Sequence, residues 1–216
     1  MIITLIGPPG CGKGTQSEML MKYLKNCKYL CAGDILRNLS KKDINSSIAL
    51  KKGNLLSDDI VNKIIINQIN LYKDKTVILD GFPRSIKQAE YLSEHYSKKI
   101  IVLVFKISEE NIIKRVEGRF SCEDCKKIYN KYFNKTKVEN LCDICNSKKF
   151  VFRDDDNIIA LSNRVKQYKS ITKQVLEYYK DTLIYINAEK KQDLVFQEIK
   201  KIFQSFTYTK SFINNS

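Results

Sequence analysis

The sequence predicts an α/β protein in which a five-stranded parallel sheet is flanked by helices. Two observations carry that reading: short apolar runs alternate with helical patterns along the chain, and a glycine-rich turn follows the first run directly. Ile2–Ile6 reads as a buried strand, and beyond the turn Met19, Leu20, Tyr23 and Leu24 recur at helical spacing. Further buried strands are read at residues 28–30, 76–80, 100–107 and 183–187, with helical patterns between them such as 165–179. Strands that alternate with helices line up in parallel and are covered on both faces. From 118 to 156 the pattern breaks into cysteines, aromatics and charges, too irregular for another strand–helix unit, and reads as an insertion.

At 216 residues and 43% hydrophobic, the chain can bury one substantial core with small excursions from it. The expected organisation is one domain over 1–206 that includes the insertion, followed by a polar, disordered tail at 207–216. The apolar runs fall far short of the ~20 residues a bilayer requires. Ile2–Ile6 runs into a glycine turn rather than a cleavage site. The expectation is a cytoplasmic monomer without membrane contact. A net charge of +14 would suit a nucleic-acid binder, yet the 32 lysines and six arginines are scattered rather than gathered in a tail. Arginine's planar fork grips phosphate with two parallel hydrogen bonds, which lysine cannot do. In a chain this rich in lysine, the arginines therefore mark positions where geometry counts.

Gly7-Pro8-Pro9-Gly10-Cys11-Gly12-Lys13-Gly14-Thr15 follows a strand and opens a helix, the context a phosphate-binding loop requires. The glycines let backbone N–H groups converge on phosphate oxygens, Lys13 can reach the β- and γ-phosphates, and the helix contributes its positive end. An ordinary glycine turn would need neither the lysine nor the strand before it. Gly14 sits where Ser or Thr normally follows the lysine, and Thr15 comes one residue later. With this Gly-Lys-Gly-Thr ending the stretch resembles the adenylate kinase family, a resemblance that extends from Ile2 to about Phe203. It implies a P-loop kinase with a monophosphate-binding region at 31–56, a zinc-containing lid at 118–156, and ATP on Gly10, Cys11, Gly12, Lys13, Gly14 and Thr15.

Cys31-Ala32-Gly33-Asp34-Ile35-Leu36-Arg37 resembles the family segment that opens the monophosphate-binding region, with Arg37 on the AMP phosphate. Ala32 stands where many relatives have a threonine that meets the acceptor adenine. Asp80-Gly81-Phe82-Pro83-Arg84-Ser85-Ile86-Lys87-Gln88 matches the family's most characteristic signature. By resemblance Arg84 contacts the transferring phosphates, Gln88 bonds the acceptor adenine, Asp80 orients magnesium-bound water, and Gly81, Phe82 and Pro83 line the AMP pocket with Asn54, Leu55 and Leu56. Taken alone, Asp80 could be a helix N-cap and Arg84 a surface ion pair.

Cys122-x2-Cys125 and Cys142-x2-Cys145, 16 residues apart, are two thiolate pairs that can each cap one edge of a tetrahedral zinc ion. A disulfide reading needs an oxidising compartment that nothing else in the sequence supports. Four thiolates leave no open position for water or phosphate, so the metal is structural, one Zn2+ per chain, in a region with few apolar residues for a core of its own. Cys11, Cys27 and Cys31 lie far from these in sequence and read as small buried residues. The resemblance implies that Ile128, Tyr129 and Phe133 line the ATP site, and the competing reading puts the aromatics in the lid's own core.

The resemblance also implies that Arg115, Arg119, Arg153 and Arg164, together with Arg37 and Arg84, surround the nucleotide phosphates; Lys13, Arg84, Arg119, Arg153 and Arg164 carry the catalytic role. Asp155 and Asp156 would latch the closed lid. The implied activity is reversible transfer from MgATP to AMP giving two ADP, with Mg2+ and Zn2+ as the only cofactors and small nucleotides as the only partners. Two rivals stand beside it: the same fold with another base preference, and a nucleic-acid-binding ATPase whose cysteines form a zinc ribbon. His95, on a polar helical stretch, is assigned no role.

Overall fold

The computed structural model describes residues 1–40, 57–96, 100–152 and 158–213. The five strands expected for the main sheet are all present: β1 (Ile2–Ile6), β2 (Cys27–Cys31), β3 (Thr76–Asp80), β4 (Ile100–Lys106) and β8 (Leu183–Asn187), in the order β2-β3-β1-β4-β8. β1 runs parallel to β3 on one side (Ile3 opposite Ile78) and to β4 on the other (Ile3 opposite Ile101). Every residue of β1 is buried, which is why it reads as an apolar run interrupted at Thr4 alone rather than as an alternating one. The chain passes from β1 out to β2, back to β3 and then across to β4. The direction of winding therefore reverses at β1, and the carboxyl ends of β1 and β3 mark the place where open sheets of this type bind ligands.

The described residues fall into two units. The first comprises Met1–Ile6, Ser17–Val104 and Lys169–Tyr185. Its core is built on one face of the sheet, where Ile2, Leu30, Val77 and Leu79 meet Val61, Ile65, Ile66 and Ile69 of α3 (Asp58–Asn70) and Leu92 of α4 (Ile86–Tyr96). Ala32, the first residue of α2 (Ala32–Ser40), belongs to the same cluster and is 4% exposed. The apolar positions of α3 recur at three- and four-residue steps, so one stripe of the helix is buried and the other stays wet.

The second unit comprises Gly7–Gln16, Phe105–Tyr168 and Ile186–Ser216. Within it, α5 (Glu109–Glu117) begins at Ser108, whose side chain accepts from the Asn111 N–H. The helix has Glu109 and Glu110 in its first turn and Lys114 and Arg115 in its last, an arrangement that suits the helix dipole. Glu189 reinforces that start by accepting from the Ser108 N–H and the Asn111 side-chain amide. Ile112 and Val116 pack on Leu161 and Val165 of α6 (Ile158–Tyr178), a helix that begins earlier than the predicted 165. The last helix, α7 (Gln192–Ile213), continues into the 207–216 segment for which the sequence predicts disorder.

The insertion at 118 forms a three-stranded antiparallel sheet of β5 (Arg119–Cys122), β6 (Ile128–Asn130) and β7 (Phe150–Val151), ordered β6-β5-β7. It has a core after all. Phe120 stacks on Tyr129 at 5.6 Å between ring centroids, and Phe150 meets both edge-on at 5.4 and 5.9 Å. These rings pack around Cys122 and Cys142. A few large aromatic side chains supply an apolar centre that a count of aliphatic residues misses.

Candidate active site and metal centre

The loop after β1 turns sharply at Gly10 (φ 79°) and Gly12 (φ 98°), left-handed conformations that a side chain would strain, and α1 (Lys13–Tyr23) starts at once beyond it. A Cβ added at Gly14 would meet no atom within 4 Å, so nothing in the protein itself demands glycine there. Space over a helix N-terminus, beside Lys13, fits a phosphate group. The Lys13 ammonium lies back over the loop, donating to the carbonyls of Gly7 at 2.7 Å and Pro8 at 3.0 Å, with Cys11 Sγ at 3.4 Å. Cys11 is buried and Thr15 is half-buried.

Arg115, for which the resemblance implies a phosphate role, is fastened to backbone carbonyls. One terminal nitrogen donates to the Cys11 carbonyl at 3.2 Å and the other to the Ala188 carbonyl at 2.7 Å. The guanidinium is half-buried, and burial pulls its pKa below the ordinary arginine value while Glu189 opposes that shift. Its planar fork braces the loop's backbone, the same geometry that would grip phosphate turned to a structural use. The Phe133 ring lies 5.8 Å from this guanidinium and is itself exposed, whereas Ile128 is half-buried on β6. Tyr129 is 1% exposed inside the aromatic cluster, the placement that the lid-core reading expects. Arg119 lies on β5 opposite Asn130.

Asp80 ends β3, and the Tyr29 hydroxyl on β2 donates to its Oδ2 at 2.9 Å. Burial, followed by the neighbouring Asp80 charge, pushes the Tyr29 pKa far up, so the phenol stays a donor. The loop beyond is tied down at each step. Thr4 Oγ1 donates to the Phe82 carbonyl at 2.5 Å, the Phe82–Pro83 peptide is cis, and both side chains are buried. Gly81 has φ 77°, and a Cβ there would meet the Arg84 guanidinium at 2.7 Å. That guanidinium is exposed and donates through Nε to the Gly81 carbonyl at 2.8 Å. Gln88, on α4, is 6% exposed. Its Oε1 accepts from the Arg84 N–H at 2.8 Å, and its Nε2 donates to Asp58 Oδ1 at 2.7 Å. Ser85 Oγ donates to the other carboxylate oxygen of Asp58 at 2.8 Å and accepts from the Gln88 N–H at 3.2 Å.

Arg37 lies on α2 and Arg164 on α6. Asn54, Leu55, Leu56, Arg153, Asp155 and Asp156 lie outside the described residues. The Ala32 methyl is packed in the apolar cluster described above rather than presented at the surface. His95 is exposed, with Nδ1 on the Tyr91 carbonyl at 2.8 Å.

The sulfurs of Cys122, Cys125, Cys142 and Cys145 all lie within 4.8 Å of one another, with Cys122 to Cys145 and Cys125 to Cys142 at 3.5 Å, and no disulfide joins any cysteine. A tetrahedron with zinc–sulfur arms of about 2.3 Å has edges of about 3.8 Å, so four thiolates placed this way fit one ion. Cys122 and Cys142 are buried, while Cys125 and Cys145 are exposed. Tyr129 adds a further contact: it accepts from the Asp143 N–H at 2.8 Å, which leaves its own proton for Cys142 Sγ at 3.4 Å.

A phosphate loop, an ordered signature at a strand end and a four-cysteine cluster in an inserted sheet are the parts that the sequence resemblance implies. The family model described as adenylate kinase matches residues 5–184. The adenylate kinase of Rickettsia africae is 37% identical over 212 residues, covering 94% of this chain and 99% of its own. That of Rickettsia bellii is 38% identical over 214 residues with the same coverage.

This chain belongs to the adenylate kinase family.

Within the adenylate kinase frame, the four-cysteine cluster stands at the lid position and the five-stranded sheet is the family's own. Three partners of the candidate residues had no role in the sequence reading: Tyr29 beside Asp80, and Asp58 and Ser85 around Gln88. The hint at Asp58 was an acidic residue opening a helix, which reads equally as a complement to the dipole. Only the fold reveals what it meets.

Proposed function

We propose that the protein transfers the terminal phosphoryl group of ATP to AMP, giving two ADP. The observation that carries this is the Asp80–Gln88 segment, in which a guanidinium fork and a carboxamide are both held by hydrogen bonds at the end of a strand. An AMP phosphate oxygen attacks the γ-phosphorus, the bond to the β–γ bridging oxygen breaks, and ADP leaves. No side-chain nucleophile is needed. The protein positions the two phosphates in line and stabilises the charge spread over the transferring group. Lys13 and the N–H groups of its loop hold the donor phosphates, Arg84 with Arg119, Arg153 and Arg164 hold the group in flight, and Arg37 the acceptor phosphate. Gln88 reads the acceptor base.

Magnesium accompanies ATP and supplies neutralisation of phosphate charge. Asp80, with one oxygen taken by Tyr29, would hold the ion's water through the other. Zinc would be held by the four cysteines and would serve the lid's fold alone, because four thiolates complete its coordination. The lid and the monophosphate-binding region would close before transfer to keep water from the γ-phosphoryl group; the adenylate kinase lid is itself a standard example of such closure. No described helix is long and apolar enough to cross a membrane, and we read the protein as a cytoplasmic monomer acting on free nucleotides. A coupled assay across ATP and GTP as donors and AMP, GMP, CMP and UMP as acceptors tests the reading. AMP with ATP should dominate, and a pyrimidine monophosphate turned over as well as AMP would overturn it.

A further inference from the structure

Gln88 is fastened on both sides of its carboxamide, and the fastening fixes which way round the amide lies. A carboxylate can only accept, so the group facing Asp58 Oδ1 at 2.7 Å is the NH2. A backbone N–H can only donate, so the group facing Arg84 N at 2.8 Å is the carbonyl oxygen. Turning the amide over would set oxygen against carboxylate and NH2 against N–H, leaving two buried clashes of like polarity. Asp58 is held in its turn: Ser85 Oγ donates to its second oxygen at 2.8 Å while accepting from the Gln88 N–H at 3.2 Å. The result is a closed ring of hydrogen bonds among Asp58, Ser85 and Gln88, in which one bond from Gln88 to Asp58 is charge-assisted.

We infer that Asp58 is a specificity-determining residue: by fixing the orientation of the Gln88 carboxamide it decides which purine the acceptor site takes. The inference rests on the reading that Gln88 meets the acceptor base. After both fastening bonds the amide keeps one N–H and one oxygen lone pair. Adenine offers an acceptor at N1 beside a donor at the 6-amino group, which suits an amide whose NH2 and oxygen have fixed places. Hypoxanthine offers the reverse, a donor at N1 and an acceptor at O6, and would need the amide turned over. IMP is therefore the telling competitor: it exchanges donor for acceptor without adding the 2-amino group that would exclude GMP on size.

The experiment measures kcat/KM for AMP and IMP in the wild type, in Asp58→Asn and in Gln88→Leu. Asparagine has nearly the shape of aspartate but can donate or accept, so Asp58→Asn removes one of the two contacts that oppose a turned amide and leaves the Arg84 N–H as the other. The expected result is that the AMP-to-IMP ratio falls about tenfold in Asp58→Asn, the change that one hydrogen bond of this kind commands. It should come from a lower KM for IMP, with kcat for AMP changing less. A merely structural role for Asp58 would weaken both substrates alike, and an unchanged ratio beside a collapsed ratio in Gln88→Leu overturns the inference while the reading of Gln88 stands. An unchanged ratio in Gln88→Leu overturns that reading and the inference with it. Should Asp58→Asn not fold, Ser85→Ala loosens the same carboxylate from its other side. There a fall of about twofold is expected, and no fall overturns the inference.

Discussion

Arg84 has its Nε on the Gly81 carbonyl at 2.8 Å, so the plane of its fork is set before any phosphate arrives. Replacement by lysine keeps the charge and loses both the plane and the anchor. Arg84→Lys should lower kcat by about 2–4 kcal/mol worth of transition-state stabilisation while nucleotide binding changes little, as when one preorganised donor is removed. Steady-state kinetics with separate KM values for ATP and AMP check this; near-full turnover would mean that Arg84 is not on the transferring group. Lys13, Arg84 and Gln88 were legible in the sequence because each sits in a short motif with its neighbours. Asp58 and Tyr29 were not, since their partners lie 30 and 51 positions away and only the sheet and helix packing bring them together. Arg115 was legible as important, and its bonds to two backbone carbonyls were not. An arginine retained among lysines marks a need for planar geometry, and here the fork spans two backbone carbonyls that lie 104 and 73 positions away.

At the scale of elements, the inserted sheet is the part whose existence the cysteine spacing announced and whose interior it concealed. Its aromatic cluster and its metal site share Cys122 and Cys142, and Tyr129 joins them through its hydroxyl, so the two are not separable. Tyr129→Phe keeps the ring and deletes the proton offered to Cys142, and zinc release to a chelator should accelerate about fivefold, the equivalent of about 1 kcal/mol for one hydrogen bond. Stopped-flow release kinetics read this directly, and an unchanged rate would show that the hydroxyl does nothing for the thiolate. Helix α5 offers a second test. Bonds from the Ser108 and Asn111 N–H groups hold the Glu189 carboxyl below its ordinary value of 4.5. A depressed carboxylate stabilises the fold above its unfolded pKa, and that contribution is lost as pH falls through the folded value. The melting-temperature gap between wild type and Glu189→Gln should therefore be constant above about pH 5 and close at lower pH. Glu189 is exposed, so the gap itself will be small.

For the whole molecule, the central strands β1, β3 and β4 were legible because strands buried along most of their length read as apolar runs, and the loop after β1 identifies its own context. Where the sequence predicts a frayed end, α7 continues to Ile213. Removing the metal should divide the molecule's response. Hydrogen exchange after chelation should lose protection across β5, β6 and β7 while β1, β3 and β4 keep theirs, because only the insertion depends on four thiolates being held together. Uniform loss would mean that the ion supports the entire fold. Gly14 carries the same reasoning to durability. It sits in the first turn of α1 with open space around it, so alanine there meets no obstacle in the protein and restricts the unfolded chain. Gly14→Ala should raise the unfolding free energy by about 0.4–1 kcal/mol. Under the proposed phosphate role of the loop the same methyl would crowd the cradle and slow turnover, exchanging speed for robustness, and an unchanged kcat beside a raised stability would place the nucleotide elsewhere.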